Sequence, residues 1–598
     1  MPRKHSDTAY RIKLAGEAGD GIISAGELLM TAAAHQGYDA TVVKSFPSNI
    51  RGGYTQTLIT ISAAPIVSPI DECDIVFSMS RDAFLIDTRK CIKRTVILAD
   101  TAALKTSECL QRKEQLEADG HTVVSVPAIQ FARETAGNSN LRSAVALGIL
   151  GELLQFDPEH IKKAITERFS VKGKEIVGLN HIALESGNLW AGKHLNGTHT
   201  FTLTPPAKKR GKRLILEGNQ AIALGALAAG CRFFASYPIT PATAIGDMLA
   251  RKLHLMNGFS YQAEDEIAAL GAAIGASFNG TKAMTATSGP GLSLMQEFIG
   301  YASMVELPVV IVDVQRVGPS TGMPTKHSQD DLHAAVFGGH GEGQRIVVAP
   351  VNMEDCYHAT ILAFNCSERY QCPALLLSDS TQGLTKTIIN KRNLHRPHII
   401  NRSIHPGHNH MKAFPRYQIG EHPVNPIAIP GTDTQTYRTT GVEHNEVSNP
   451  INTPDMRIKQ MERRFRKINN IENEIDTPVV WDDEPAEEMC AIGVCAWGFT
   501  ALAARQAVAV LRSEGVRISA LYPRLLFPVC TQALSHWKNR AMTHIVIEAN
   551  FTGQYCSLIK MTTLLQPHSL TFARGEPITP SEIVTGIRRL LVSSGDTE

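Results

Sequence analysis

From residue 10 to about 195, short β-rich runs (RIKLAG, TVVKSF, DIVFSM, TVILAD, HTVVSV) alternate with helical stretches. That alternation predicts βαβ units on a largely parallel sheet. The rhythm returns from Leu214 to about Ser380, with AMTAT and VVIVDV as strands, and again from about Met489, with AIGVCAW, RISALYP and THIVIEA. Two stretches break it. Residues 198–213 join a Pro pair to a basic cluster and read as a linker. Residues 391–478 hold seven His and nine Pro among few apolar runs, which predicts an extended arm. Within the arm Ile458, Met461, Phe465, Ile468 and Ile475 stand at helical spacing amid Arg and Lys, predicting one amphipathic helix docked on a neighbour. The expected fold class is α/β, as three α/β domains with an arm: 1–197, a linker at 198–213, 214–385, the arm at 386–485, and 486–598.

At 598 residues the chain exceeds what one core of ~250–300 residues can organise, so several domains are required. Hydrophobic residues make up 43% and charged residues 19%, with a formal net charge of +2. So weak a field argues against nucleic acid or an anionic membrane as a partner. The uncharged run 489–504 is shorter than the ~18 apolar residues of a spanning helix, and no apolar stretch follows the basic start. A cytoplasmic location is the expectation. Eleven Cys without a CxxC pair encode neither a zinc ribbon nor a self-contained iron–sulfur cluster. His405, His408 and His410 cluster in the arm, but loops with exposed His are commoner than zinc sites, and no metal is expected in this chain.

Chemistry concentrates between 236 and 332. In SYPITPATAIGDML, Thr240-Pro241 can cap and start a helix, and such an end also offers N–H groups and a hydroxyl to a carboxylate. In QAEDEIAALGAAIGASFNG, acidic residues suit the helix dipole, while Ala269, Gly271, Ala273 and Gly275 behind Glu266 leave room for a ring. TATSGPGLSLM and VVIVDVQRVGPSTGMPTKHSQDDL each run from an apolar strand into a Gly-, Ser- and Thr-rich loop, where open α/β sheets place ligands. Arg316, directly after the second strand, can fork onto a carboxylate.

The opening GDG, Gly19 to Gly21, with Asn49 after 27 intervening residues, has the spacing of a magnesium diphosphate grip. A metal-binding Asn should sit at the end of an apolar strand. Here the plausible strand ends at Val43 and residues 44–48 intervene. A Gly-rich strand-to-helix turn is the better reading.

YPITP, the EIAALGAAIGAS helix, TSGPGLSLM and QRVGPSTGMPT, in order over about 90 residues, resemble the alpha subunit of the 2-oxoacid:ferredoxin oxidoreductases, particularly the 2-oxoglutarate type with a gamma domain fused ahead of alpha. GEAGDGIISAGELL and PSNIRGG resemble that gamma domain, and WGFTALAARQAVAV with VIEANFTGQ resembles the transketolase C-terminal-like domain. The middle domain would then be of the thiamine diphosphate pyrimidine-binding type. The resemblance implies CoA-dependent oxidative decarboxylation of a 2-oxoacid to an acyl-CoA, carbon dioxide and reduced ferredoxin, reversible as reductive carboxylation. It makes Glu266 the aminopyrimidine contact, with Glu264 as the alternative. It makes Thr240 and Arg316 substrate-carboxylate contacts and Thr321 a further one, and Arg51, Gly52 and Gly53 contacts of coenzyme A. Lys326 or His327 could meet a second carboxylate. With neither diphosphate motif nor cluster cysteines here, the resemblance implies a beta subunit holding Mg2+, its share of thiamine diphosphate and a [4Fe–4S] cluster, in a dimer of alpha–beta heterodimers. The rivals are the same chemistry on pyruvate or another 2-oxoacid, a self-sufficient transketolase-type enzyme using Asp20 and Asn49, and a non-catalytic subunit binding coenzyme A or a nucleotide.

Overall fold

The computed structural model describes residues 9–47, 53–195, 201–206, 211–395, 398–405, 413–432, 436–483 and 489–594. They fall into two compact units.

The first unit holds residues up to 216 with 385–392 and 579–582. Its eight-stranded sheet begins with Thr122–Val126, Val96–Asp100, Ile75–Ser78 and Ala9–Glu17, all parallel. It continues with Tyr54–Ser62, Asp39–Ser45 and Lys386–Asn390, each antiparallel to its predecessor, and ends on Arg213–Glu217. Half the sheet is thus antiparallel, where the sequence rhythm predicts a largely parallel one. The physical reason is that only eight residues separate Asp39–Ser45 from Tyr54–Ser62, too few for the crossover that a parallel pair needs, so the two close as a hairpin-like pair. The first of them also runs past Val43: Lys44 and Ser45 extend the ladder against Thr57 and Gln56.

The GDG turn is built for shape. Asp20 is buried, accepts the Glu17 N–H at 2.9 Å and pairs with Arg142. Gly21, at φ 77°, opens the helix Ile22–His35. Asn49 lies outside the described residues.

The second unit contains two sheets. The seven-stranded one runs Leu525–Phe527, Ile346–Val348, Pro373–Asp379, Val309–Gln315, Ala283–Thr287, Phe233–Ser236 and Phe259–Gln262, parallel except at the first strand. Its central strands are buried throughout because helices cover both faces. The five-stranded sheet runs Val479–Asp483, Ile518–Pro523, Cys490–Ala496, Ala541–Glu548 and His568–Thr571, parallel except at its first strand.

The arm is held by charge. Its helix Pro454–Arg466 buries Gln460, Arg463 and Arg464, whereas Ile458 and Phe465 are exposed. Of the five apolar positions expected to dock, Ile468 is buried and Ile475 packs on the core beyond the helix, while the helix itself docks by its cations. The cause lies in the partner surface: Glu306 is 1% exposed and is met by Arg463 and Lys467, while Arg416 donates to its carbonyl at 2.8 Å. Burial works to raise the Glu306 carboxyl, but Lys467, Arg463 and Arg416 outweigh it and hold the group well below the usual carboxylate range. Burial pulls the Lys467 ammonium down to about 8, so Arg463, also bonded at 3.1 Å to the second carboxylate oxygen, is the permanent partner. A second anchor is Arg402, which reaches Glu368 through Nε at 2.8 Å and the Ser277 carbonyl through Nη1 at 2.6 Å.

Candidate active site

Four adjacent parallel strands, Phe259–Gln262, Phe233–Ser236, Ala283–Thr287 and Val309–Gln315, deliver the four singled-out motifs at their carboxyl ends. Side-chain alternation ends there and the backbone turns into loops and helix starts, so polar groups can gather without interrupting a ladder.

Arg316 is the first residue after its strand and is 7% exposed. Its Nη1 donates to the Thr240 carbonyl at 2.7 Å, joining two of the predicted substrate residues. Its Nε is buried without a partner. Burial lowers its pKa, opposed by Asp331 and Asp313. Thr240 is exposed, and its hydroxyl makes no hydrogen bond among the described residues. The helix that Thr240-Pro241 is expected to start begins instead at Thr243, and the Thr240-Pro241 peptide is cis.

Glu266 opens the helix Glu266–Phe278, capped by Asp265, whose carboxylate accepts the Ala268 N–H at 2.7 Å. Glu266 is buried to 7% exposure, yet its carboxylate has no hydrogen bond or ion pair among the described residues. A buried carboxylate left open in this way has its bonding capacity available to a ligand. Gly291 of the TSGPG motif packs on it: a Cβ there would overlap Thr287 Oγ1 and lie 2.6 Å from Glu266 Cγ. The small residues behind Glu266 divide between two faces. Ala269 and Ala273 are buried, while Gly271 faces the Phe298 ring and Gly275 faces open space. Positions two apart on a helix point nearly opposite ways, so the four cannot form one stripe.

The loop after Arg316 closes on itself, the Met323 N–H donating to the Val317 carbonyl at 3.0 Å. Thr321 is exposed in that loop, and no hydrogen bond among the described residues joins it to Arg316, Thr240 or Glu266. His327 is 3% exposed, with Nδ1 3.0 Å from Asp379 Oδ1 and its ring edge-on to Phe499. Its Nδ1 is thus committed to Asp379, while its Nε2 is buried without a partner.

Two family models match the chain: pyruvate flavodoxin/ferredoxin oxidoreductase, thiamine diP-binding, over residues 224–463, and pyruvate ferredoxin/flavodoxin oxidoreductase over residues 11–189. The 2-oxoglutarate synthase subunit KorA of Methanocaldococcus jannaschii is 40% identical over 314 residues, which are 52% of this chain and 82% of that one. The solved 2-oxoglutarate:ferredoxin oxidoreductase from Magnetococcus marinus, with 2-oxoglutarate, coenzyme A and succinyl-CoA bound, is 34% identical and superposes with a TM-score of 0.90 over 97% of this chain and 99% of that one. The chain belongs to the 2-oxoacid:ferredoxin oxidoreductases. The 2-oxoglutarate oxidoreductase subunit KorA of Mycobacterium tuberculosis is 29% identical over 97% of this oxidoreductase chain and 91% of its own.

In this oxidoreductase chain the C-terminal sheet sets the loop beyond Arg316. Gln329 donates its N–H to the Ala549 carbonyl and its side chain to the Trp497 carbonyl, both at 2.9 Å. Gln554 donates to the Asp330 carbonyl at 2.7 Å and accepts the His333 N–H at 2.8 Å. Glu548 accepts from Trp497, Asn550, Tyr555 and Cys556, which fills its carboxylate and makes it a scaffold. Sequence reasoning passed over Asp313 and Asp331, which lie beside Arg316. The available signal was an Asp inside the otherwise apolar strand VVIVDV. In the first unit Gly53 accepts the Ala18 N–H at 3.1 Å, joining the two Gly-rich loops. Arg51 and Gly52 lie outside the described residues.

Proposed function

We propose that this chain is the alpha subunit, with fused gamma domain, of a thiamine diphosphate-dependent 2-oxoglutarate:ferredoxin oxidoreductase. It converts 2-oxoglutarate and coenzyme A to succinyl-CoA, carbon dioxide and reduced ferredoxin, reversibly. The observation that carries the reading is the buried, unpartnered Glu266 on the same row of strand ends as the hydrogen-bonded Thr240 and Arg316. Thiamine diphosphate, when bound, supplies the carbon nucleophile and electron sink. Glu266 would hydrogen-bond the cofactor's aminopyrimidine through its unpartnered carboxylate. Arg316 takes the substrate's 2-carboxylate on its guanidinium edge, with the Thr240 hydroxyl and Thr321 as neighbouring donors. Gly53, with Arg51 and Gly52, provides backbone to coenzyme A where the two Gly-rich loops meet.

The partner is a beta subunit bearing the diphosphate with Mg2+ and a [4Fe–4S] cluster that passes single electrons to ferredoxin, in a dimer of alpha–beta heterodimers. Three features support it. The eleven cysteines include no CxxC pair of the kind that ligates an iron–sulfur cluster. The Asp20 carboxylate is already taken by Arg142 and Glu17. Each motif loop also exposes an apolar side chain, Tyr237, Ile267, Leu294, Met323 and Phe551, the last 84% exposed. No described helix is long and apolar enough to cross a membrane.

In the reconstituted complex, kcat/KM with 2-oxoglutarate should exceed that with pyruvate by more than tenfold, and a preference for pyruvate would overturn the substrate assignment. Arg316→Met should lower kcat/KM by roughly 10- to 100-fold through loss of one charge-assisted contact, mainly in KM. Gly291→Ala should leave the complex assembled and lower turnover by roughly 100-fold, because its methyl group displaces Glu266. Assembly is read by size-exclusion chromatography and turnover by ferredoxin reduction.

A further inference from the structure

Asp313 lies within Val309–Gln315 and is fully buried. Neither of its carboxyl oxygens has a donor, and Asp331 Oδ2 is likewise without one. The Asp331 carboxyl is the side-chain hydrogen-bond partner of the Asp313 carboxyl and the charge that acts on it most strongly. Asp331 is half-buried with its Oδ2 shielded, and a carboxylate so placed against the fully buried Asp313 disfavours ionisation of both, so that one proton between them satisfies both. The backbone makes room for the arrangement. A Cβ on Gly289 would sit 2.8 and 2.9 Å from the two Asp331 oxygens, so the TSGPG motif seats Asp331 with one glycine and Glu266 with the other. The Asp331 N–H donates to Gln315 Oε1 at 3.1 Å, and the bonds from Gln554 to Asp330 and His333 fix the segment on either side.

We infer that Asp331, paired with Asp313 through one shared proton, is a positioning residue for Arg316, setting how much uncompensated positive charge the guanidinium offers to a substrate carboxylate. This rests on the reading of Arg316 as the carboxylate contact. The charges acting on the pair are Arg316 at the strand end and Asp330 on the same segment. Otherwise the packed elements present the neutral Gln315, the Gly289 backbone and Gln554, while His333 is engaged by the Gln554 carbonyl and Ser557. Burial, then Asp330, raises Asp331 to about 7, and burial with Asp331 raises Asp313 well above the usual carboxylate range. Below that pH the pair is neutral and Arg316 is uncompensated. Above it the pair carries one negative charge that competes with the substrate.

The test is the pH dependence of KM and kcat for 2-oxoglutarate between pH 6 and 8 in the reconstituted complex, a range in which both substrate carboxylates stay ionised. Wild type should show KM rising roughly 5- to 10-fold while kcat moves less. Asp331→Asn should flatten the KM profile at its low-pH level. Asp313→Asn, whose amide can donate to an ionised Asp331, should flatten it at the high-pH level, and it carries the test if Asp331→Asn does not fold. A wild-type KM that is constant over this range, or an Asp331→Asn profile parallel to wild type while Arg316→Met raises KM, overturns the inference. An Arg316→Met enzyme with unchanged KM instead overturns the carboxylate reading beneath it.

Discussion

Glu266→Gln is expected to lower turnover of the reconstituted complex by about 10²- to 10⁴-fold, the usual worth of a positioned acid–base group. Gln keeps the shape and removes the ionisable proton, so the close packing against Gly291 survives. Thermal unfolding and subunit assembly should match wild type, because the native carboxylate makes no hydrogen bond or ion pair among the described residues that the amide would lose. The measurement is 2-oxoglutarate-dependent ferredoxin reduction alongside cofactor binding by difference spectroscopy. A rate within a few-fold of wild type would remove Glu266 from the chemistry and return attention to Glu264.

The second large effect concerns stability. Glu306→Ala should destabilise the chain by about 3–5 kcal/mol, since it leaves Arg463 and Lys467 buried without their counter-charge. Limited proteolysis should then cut first in the arm, whose helix those cations anchor. Replacing Glu306 with Leu together with Arg463→Met and Lys467→Met should recover most of the loss, because apolar packing costs nothing in buried charge. Glu306 has a folded-state pKa depressed below its unfolded value of about 4.3. Its contribution is therefore fully present above about pH 4.3 and is lost as pH falls below that. The difference in Tm between wild type and Glu306→Gln should be largest between about pH 5 and 7, fall as Lys467 loses its proton near pH 8, and shrink below about 4.

Much of this molecule is readable from the chain because the signals are local. Strand–helix alternation predicts the α/β class, and an apolar run ending in Gly, Ser and Thr marks a strand end at Thr287 and at Gln315. The arm helix shows where local signals fail. Ile458 and Phe465 stand at helical spacing with Met461, but the surface they would need is occupied by a buried acid, so the cationic face turns inward. Periodicity reports which residues share a face and says nothing of what that face meets.

The site divides along the same line. By itself the sequence determined which residue types stand at the strand ends: Thr240, Glu266, Gly291 and Arg316 are each legible as the group following a strand or opening a helix. Tertiary structure alone decided that Arg316 bonds the Thr240 carbonyl 76 positions earlier, that Glu266 is buried without a partner, and that His327 meets Asp379 through Nδ1. It also decided that Asp313 and Asp331, separated by a loop set against the C-terminal sheet, keep buried carboxyl oxygens that no donor meets. Spacing along the chain governs local geometry, whereas the protonation and availability of a buried group depend on what long-range packing places within a few ångströms of it.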